Sequence, residues 1–316
     1  MEWVKVLNDS YSYKPKYFLA YKDNELVGIL PLMFIESWLT GKRAVSLPFS
    51  DFCGPLFKAD IEPSEILQKI FEICTKERIK YVEFRSATSK FPQEAQHFRT
   101  DLNHVLRLDK KESELLKSFS ENTRRNIKKG AKFNLELKIQ NDYSGVRMFY
   151  EMHCDTRKRH GLPPQPFNFF ENMFKTIFST GAADILFAYH DKNCIAGAVY
   201  LKFGKKLLYK YGASYSKYNK LAGNHFVMWE AIKKYLAEGF CEFDFGLTEM
   251  NNDGLRKFKL SWNTEEKFIY TTRYNIVTEK FLPFKTMIEG FHNKIFRRTP
   301  AFFLKIIGAA LYKHIG

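Results

Sequence analysis

The fold is decided by the stretch Tyr17-Phe18-Leu19-Ala20-Tyr21, a turn at Asp23-Asn24, and Leu26-Val27-Gly28-Ile29-Leu30-Pro31-Leu32. Two runs that favour β-strands flank a polar turn, and this pattern predicts a β-hairpin. A second stretch has the same form: Ile185-Leu186-Phe187-Ala188-Tyr189, a turn at Asp191-Lys192-Asn193, and Ile195-Ala196-Gly197-Ala198-Val199. Both contain Ala-Tyr-x-Asp and a glycine inside the second strand, with the spacing changed by one residue.

Each predicted hairpin is followed by a helix and then a strand. After the first, apolar residues at helical spacing begin near Pro63, and residues 81–84 form a strand pattern. After the second, a helix is predicted near residues 224–238, with a stop at Gly239 and a strand over residues 241–245. The repeated order favours duplication of one α/β unit over chance similarity. We therefore predict two halves, residues 1–110 and 111–280, followed by a tail, residues 281–316.

The chain carries a large excess of positive charge: 50 Lys and Arg against 35 Asp and Glu. Such an excess attracts anions, whether nucleic acid, phosphorylated substrates or acidic lipid headgroups. A nucleic-acid-binding protein is therefore one alternative, although the sequence shows no zinc finger, RNP motif or helix-turn-helix signature.

The five cysteines are widely spaced, and none of them forms a CxxC pair or a Cys/His cluster with the spacing of metal ligands. We expect no metal site and reduced thiols. Residues 1–13 lack the architecture of a signal peptide and enter a strand-like pattern almost at once. No apolar run is long enough to span a bilayer, so these features predict a cytoplasmic protein.

One long helical pattern, residues 112–132, separates an apolar face from a cationic stripe. The stripe consists of Arg124, Arg125, Lys128, Lys129 and Lys132. Charge runs of this kind are usually solvated helix faces. Like charges this close repel unless anions offset them, so contact with a phosphate-bearing substrate is an equal alternative for Arg124, Arg125 and Lys128.

The tail combines apolar residues at helical spacing with Arg297, Arg298, Lys305 and Lys313, and Glu289 is its one acid. A basic amphipathic helix of this kind can lie on an anionic membrane surface, which would place the protein peripherally on the inner face of the membrane. It can equally pack on the body of the protein. The sequence leaves both readings open.

Four segments resemble motifs of the FemAB-like branch of the GNAT-type acyltransferases. They are Ser46–Asp51, Ser118–Ala131 (the family's RRNIRKA helix), Thr156–Pro164 (T-x-x-R-x-G-L-P) and Phe243–Trp262 (FDFGRS…G…FK…WG). They occur in the family's order, and the resemblance covers about residues 15 to 275.

The resemblance implies an α/β (α+β) fold of tandem GNAT-like domains, with mixed β-sheets flanked by helices and a basic amphipathic C-terminal helix added here. It also implies an enzyme that moves an acetyl or aminoacyl group to an amine of a cell-envelope or polysaccharide precursor. The donor substrate would be acetyl-CoA or aminoacyl-tRNA, and no tightly bound cofactor is expected. A non-catalytic protein that binds nucleic acid or a membrane surface remains the alternative.

A phosphate-bearing donor needs a cradle of cations or backbone N–H groups. The turn from Lys220 to His225 resembles the basic-x-x-Gly-x-Gly/Ala loop that holds the coenzyme A pyrophosphate in GNAT enzymes. Lys220 and Gly223 fit the pattern, Asn224 follows, and His225 stands where a second small residue belongs. The alternative is an ordinary helix start, with Gly223 or Asn224 as its cap.

Acyl transfer to an amine requires a deprotonated amine and a stabilised oxyanion. Asp244 is the leading candidate for orienting the amine or accepting its proton; otherwise it anchors the turn at Thr248. His160 lies beside Arg159 at the lip of the proline-rich loop 161–166, and it is either an accessible base or a surface histidine. Lys259 resembles the lysine of the family's FK motif.

The strand pattern of residues 208–215 contains three tyrosines, Tyr209, Tyr211 and Tyr215. Strict alternation places Tyr209 and Tyr211 on one face. Tyr211 and Tyr215 are candidates for stacking on a substrate, together with Arg159 as a polar contact, and core packing is the alternative for the tyrosines.

Overall fold

The computed structural model describes residues 1–58, 61, 63–86, 98–283 and 292–315. Within these residues the strands are β1 (Lys14–Lys22), β2 (Glu25–Ser37), β3 (Gly41–Val45), β4 (Leu56–Phe57), β5 (Tyr81–Ser86), β6 (Arg99–Arg107), β7 (Glu136–Ile139), β8 (Ala183–His190), β9 (Asn193–Phe203), β10 (Lys206–Ser214), β11 (Glu242–Glu249), β12 (Glu265–Asn275) and β13 (Lys280–Phe281). The helices are α1 (Glu2–Tyr11), α2 (Pro63–Lys76), α3 (Glu112–Ser118), α4 (Glu121–Lys132), α5 (Tyr143–Arg159), α6 (Phe167–Thr176), α7 (Gly223–Ala237), α8 (Asp253–Leu260), α9 (His292–Arg298) and α10 (Ala301–Ile315).

Both predicted hairpins are confirmed, and they share a structural irregularity. The turn residues Asp23 and Asn24 in the first, and Asp191 and Lys192 in the second, have positive φ, as a tight two-residue hairpin turn requires. In each hairpin the strand register shifts inside the shared Ala-Tyr pair, between residues 20 and 21 and between residues 188 and 189. The repeated sequence therefore marks the same β-bulge in both halves.

The strands join into one continuous mixed sheet in the order β1-β2-β3-β5-β12-β6-β11-β10-β9-β8-β7. Each half contributes one strand that pairs with a strand of the other half. β12, from the second half, pairs with β5, while β6, from the first half, pairs with β11. The predicted α/β fold with mixed β-sheets flanked by helices is confirmed, and the strands of the two halves are joined edge to edge in one sheet. The boundary at residue 110 stays a prediction.

Helices cover both faces of this sheet. On one face α1, α5, α6 and α10 pack over strands of both halves, around buried residues such as Leu7, Met33 and Phe187. On the other face α2 covers the first half, while α3, α4 and α7 cover the second. The first layer is therefore common to the two halves, and the second is divided between them.

Two helix predictions need correction. Residues 1–13 contain the helix α1 and no strand start, because Val6, Leu7 and Tyr11 bury one helical face. The single helix expected over residues 112–132 is broken at Phe119 and Ser120. The Ser120 side chain accepts a hydrogen bond from the backbone N–H of Thr123 and so begins α4 as its N-cap.

The tail lies partly outside the described residues, but α10 packs on the body of the protein. Its residues Leu304, Gly308 and Tyr312 are buried. Among the described residues, the longest and most apolar helices fall short of what crossing a bilayer requires.

Candidate active site

An opening lies between two neighbouring strands near the middle of the sheet. β10 and β11 run parallel and pair only over residues 206–208 and 242–244. Beyond that point β10 bulges at Lys210 against β9, and β11 shifts register between Asp244 and Leu247 against β6. Because a bulge bends its strand, the two strands separate and leave polar groups of both accessible.

Two cavities border this opening. One, of about 590 Å³, is lined by Tyr209 and residues 212–214 of β10, by Tyr215 just after that strand, and by the first residues of α7. The other, of about 470 Å³, is lined by Lys210, Asp244 and Asp51. Tyr209 and Lys210 are neighbours on β10, so the bulge lies where the two cavities approach each other.

Lys259 reaches the opening from α8. Its Nζ donates hydrogen bonds to the backbone oxygens of Gly246 and Leu247, both at 2.8 Å. Burial lowers the pKa of Lys259 to about 8, although the charges of Asp51 and Asp244 oppose that shift. Among the described residues, these carbonyls take two of the three N–H groups of an ammonium, which leaves a donor for a developing oxyanion.

Asp244 holds the bulge in β11. Its Oδ1 accepts from the backbone N–H of Gly246 at 2.7 Å, and its Oδ2 accepts from Nδ2 of Asn103 at 3.0 Å. Burial raises the pKa of Asp244, and the charge of Asp51 adds to this effect. The predicted anchor at Thr248 is in fact an anchor at Gly246, and the carboxylate still lines the second cavity.

Asp51 is the site residue that sequence reasoning missed. It comes from the loop after β3 in the first half, and its Oδ1 lies 3.7 Å from the Nζ of Lys210. The same Nζ donates to the backbone oxygen of Phe49 at 2.7 Å, which ties that loop to β10. A Cβ at Gly246 would stand 3.3 Å from Oδ2 of Asp51, so only glycine leaves the carboxylate its present room.

The motif Ser46–Asp51 was a usable signal for Asp51, because it ends in a carboxylate. The partners of Asp51 in space are far away in the chain, and a pattern in one sequence does not reveal them. The arrangement can orient an incoming amine with the carboxylate of Asp51 while Lys259 faces the carbonyl oxygen of an acyl donor.

The predicted phosphate cradle forms one wall of the first cavity. α7 begins at Gly223, and its N-cap is Ala222, with positive φ and no side-chain cap, so the predicted caps are wrong. A Cβ at Gly223 would lie 3.0 Å from the Cβ of Ala196, so this glycine also permits close packing of helix on strand. Asn224 donates from Nδ2 to Oγ of Ser214 at 3.2 Å.

His225 is packed against aromatic rings, whereas Lys220 is exposed to solvent. The ring of His225 stacks on Trp262 and touches Phe258 edge-on. Burial, helped by the charge of Lys129, lowers the pKa of His225 to about 4, so the ring is neutral at pH 7. Lys220 is exposed in the 3₁₀ turn Ser216–Leu221, just before the helix.

His160, Arg159 and Tyr215 line the same cavity. Burial and the charge of Arg159 lower the pKa of His160, which favours its neutral form. Arg159 donates to the backbone oxygen of Ser214 at 2.6 Å and so fixes the end of α5 to β10. These residues, predicted from the sequence as separate candidates, are brought together at one wall.

Tyr211 does not share a face with Tyr209, so the prediction from strict alternation is wrong. The bulge at Lys210 turns Tyr211 into the layer of α5 and α6, where its ring lies 5.5 Å from that of Phe170. Tyr209 packs on the opposite layer. This position favours core packing for Tyr211.

The cationic stripe faces outward from α4. Arg124 donates to the backbone oxygen of Lys117 at 3.1 Å, Arg125 donates to Oδ1 of Asn122 at 2.8 Å, and Lys128 is exposed. On the inner side, a Cβ at Gly130 would collide with Phe226 of α7, so the two helices are in close contact. The stripe thus lies beside the cavities without lining them.

Residues 117–259 match the model of the acetyltransferase (GNAT) domain family. The match contains the opening, both bulged strands and Lys259. Over this segment, which is less than half of the chain, the protein is similar to acetyltransferase (GNAT) domains. Within the matched segment lie the bulged strands, the helix start of α7 and the buried lysine.

The sequence is also similar to a lipid II:glycine glycyltransferase of Staphylococcus haemolyticus, with 33% identity over 87 residues, which are 26% of this chain and 21% of the relative. The chain thus spans about a fifth of the length of the curated relatives it matches. Its fold is similar to the crystal structure of FemX, with a TM-score of 0.70, 17% identity, and coverage of 85% of this chain and 90% of FemX. A tandem GNAT protein from the clavulanic acid biosynthesis pathway gives a TM-score of 0.53 at 10% identity and covers 83% of each chain.

Proposed function

We propose that the protein transfers an aminoacyl group to an amine of a lipid-linked cell-wall precursor. The observation that carries this proposal is the opening between β10 and β11, where Lys259 binds the bulged backbone of β11 and Asp51 lines the adjoining cavity beside Lys210. The matched relatives are named lipid II:glycine glycyltransferases, which supports an aminoacyl donor and an amine acceptor. Acetyl-CoA is the second candidate donor, because the matching domain model is an acetyltransferase.

The donor enters by the cavity at the start of α7. The first N–H groups of a helix point along its axis and attract anions, and α7 lacks a side-chain cap that would compete with a phosphate. The neutral ring of His225 occupies the place where the coenzyme A loop has a small residue. This substitution favours a donor other than coenzyme A.

The acceptor enters by the cavity that holds Asp51 and Lys210. Its amine loses a proton toward the carboxylate of Asp51 as its nitrogen bonds to the acyl carbon. The negative charge that develops on the carbonyl oxygen is stabilised by the ammonium of Lys259. The tetrahedral intermediate then breaks its bond to the donor oxygen or sulfur, and the leaving group takes up the proton.

The test is a transfer assay with purified protein, lipid II and either glycyl-tRNA or acetyl-CoA, followed by mass spectrometry of the acceptor. We expect the mass of one glycyl residue to be added, and Lys259→Met to lower the rate about 100- to 1000-fold, the usual effect of losing an oxyanion donor. Lys257→Met, an exposed lysine of the same helix, is the matched control and should keep the wild-type rate. A folded protein that transfers from neither donor would overturn the proposal.

A further inference from the structure

The C-terminal helix α10 is held in one orientation by its inner side. Tyr312 accepts from Arg157 at 2.8 Å through its hydroxyl, and its backbone oxygen accepts from the hydroxyl of Tyr13 at 3.0 Å. A Cβ at Gly308 would overlap the backbone oxygen of Pro164, so the helix lies directly on the proline-rich loop. These contacts determine which side chains of α10 face outward.

The outward side is apolar. Phe302, Phe303 and Ile306 are exposed by 67%, 54% and 52%, respectively, and Ala309 and Ala310 continue the same exposed stripe. A helix of 15 residues is about 22 Å long. The exposed apolar residues therefore form a continuous patch along it, unlike the single apolar residues that are scattered over most protein surfaces. Among the described residues, no other element covers it.

A second apolar element lies at the far end of the helix. Trp38 and Leu39, in the turn between β2 and β3, are exposed by 84% and 54%. The ring of Trp38 lies 5.4 Å from that of His314, near the end of α10. The apolar surface therefore continues from the start of the helix to a turn of the first half.

The charged side chains of α9 and α10 themselves are all basic. Residues 292–315 contain no Asp or Glu, and Arg297, Arg298 and Lys313 are exposed. The charge of Lys305 is offset by Glu151, whose carboxylate lies 2.9 Å from the lysine Nζ. A second copy seated on this face would bring like charges together, whereas an anionic surface would offset them.

We propose that the outer face of α10, with the Trp38 turn, docks on an anionic lipid bilayer. Phe302, Phe303 and Trp38 enter the boundary between headgroups and acyl chains, and Arg297, Arg298 and Lys313 meet the anionic headgroups. The helix lies in the plane of the surface, because its opposite side is fixed to the protein. This inference does not depend on the proposed transfer reaction.

The test is co-sedimentation of the full chain with vesicles of phosphatidylcholine, with and without phosphatidylglycerol. We expect binding to the phosphatidylglycerol vesicles that weakens as salt is raised. Phe302→Ser with Phe303→Ser should lower the partition coefficient roughly tenfold or more, and Arg297→Glu with Arg298→Glu should do the same. Phe268→Ser is the matched control, since Phe268 is 50% exposed on β12, and it should bind as the wild type does.

A second readout does not depend on the helix variants. Tryptophan fluorescence should shift to shorter wavelength when the phosphatidylglycerol vesicles are added, and Trp38→Phe should abolish the shift. Binding to neither vesicle type, or unchanged binding of the double serine variant, would overturn the proposal. The proposal would also be overturned if sedimentation velocity showed a dimer of the wild type and a monomer of the double serine variant. The face would then be occupied by a second copy of the chain.

Discussion

At the scale of single residues, Lys259 carries a charge in a position where burial disfavours it. Burial lowers the pKa of Lys259 to about 8, while the charges of Asp51 and Asp244 partly oppose this shift. Two backbone oxygens accept hydrogen bonds from its ammonium group. The side chain therefore changes its charge close to physiological pH, and any role that depends on the cation is lost above that pH.

The rate of transfer is expected to fall as pH rises through about 8, because Lys259 then loses the proton that stabilises the oxyanion. Lys259→Arg keeps its charge over this range, so its lower rate should lack that alkaline limb. The measurement is the pH profile of kcat for both proteins. An alkaline limb that is identical in the arginine variant would assign it to another group.

Gly246 permits a close approach as well as a left-handed backbone, with a φ of 72°. Gly246→Ala should destabilise the fold by about 1 to 2 kcal/mol and also displace Asp51, so the rate should fall. The measurements are thermal unfolding and the transfer assay.

Gly204→Ala is the matched control for this change. Gly204 also has a positive φ, of 55°, but a Cβ there meets nothing within 4 Å. The Gly204→Ala variant should lose a similar free energy of unfolding and keep the wild-type rate of transfer. If both variants lost activity equally, the contact with Asp51 would be irrelevant.

At the scale of elements, α4 exposes Arg125, Lys128 and Lys132 to solvent while its other side packs on α7. Arg125→Glu with Lys128→Glu should raise the KM for the phosphate-bearing substrate several-fold at low salt, with a smaller effect at high salt. Steady-state kinetics at two ionic strengths would measure this.

The control for the stripe carries the same charge change elsewhere. Lys69→Glu with Lys76→Glu alters two exposed lysines of α2, in the first half. Equal effects of the two pairs would show that net charge matters and that the position of the stripe does not.

The elements with local signals could be predicted from the sequence. The turns at Asp23-Asn24 and Asp191-Lys192, the helix start at Pro63 and the stop at Gly239 each depend on a few neighbouring residues. The bulge at Lys210 and the placement of Tyr211 could not be predicted in this way. Strict alternation of side chains assumes a regular strand, and a bulge inserts one extra residue that shifts every later side chain to the other face.

In the candidate site, too, residues within continuous motifs could be predicted from the sequence, and contacts between distant parts of the chain could not. Motifs pointed to Asp244, Lys259 and the residues around Gly223, since each motif is continuous in the chain. Asp51 was missed because its neighbour Lys210 is far along the chain, as the 161 residues from Phe49 to Lys210 illustrate. The orientation of α10 likewise depends on Gly308 fitting a distant loop.

At the scale of the whole molecule, the strands that pair across the two halves join them into one unit. β12 separates β5 from β6, and the layer of α1, α5, α6 and α10 spans both halves. Neither half can complete its sheet without the other, although the sequence repeat suggests two independent domains.

Unfolding by denaturant should therefore show one transition, with the same midpoint by circular dichroism and by tryptophan fluorescence. Residues 1–110 and 111–283, produced separately, should each fail to fold cooperatively, because each exposes a central strand edge. Two separate transitions, or a stable isolated half, would contradict the shared core.

The position of β12 also has a consequence for synthesis of the chain. β5 and β6 are complete by residue 107, but the strand that fills the slot between them starts at residue 265. At usual translation speeds a ribosome needs roughly ten to thirty seconds for this interval, during which the slot has two open edges. The centre of the sheet can therefore close only after β12 has left the ribosome, long after both of its neighbours.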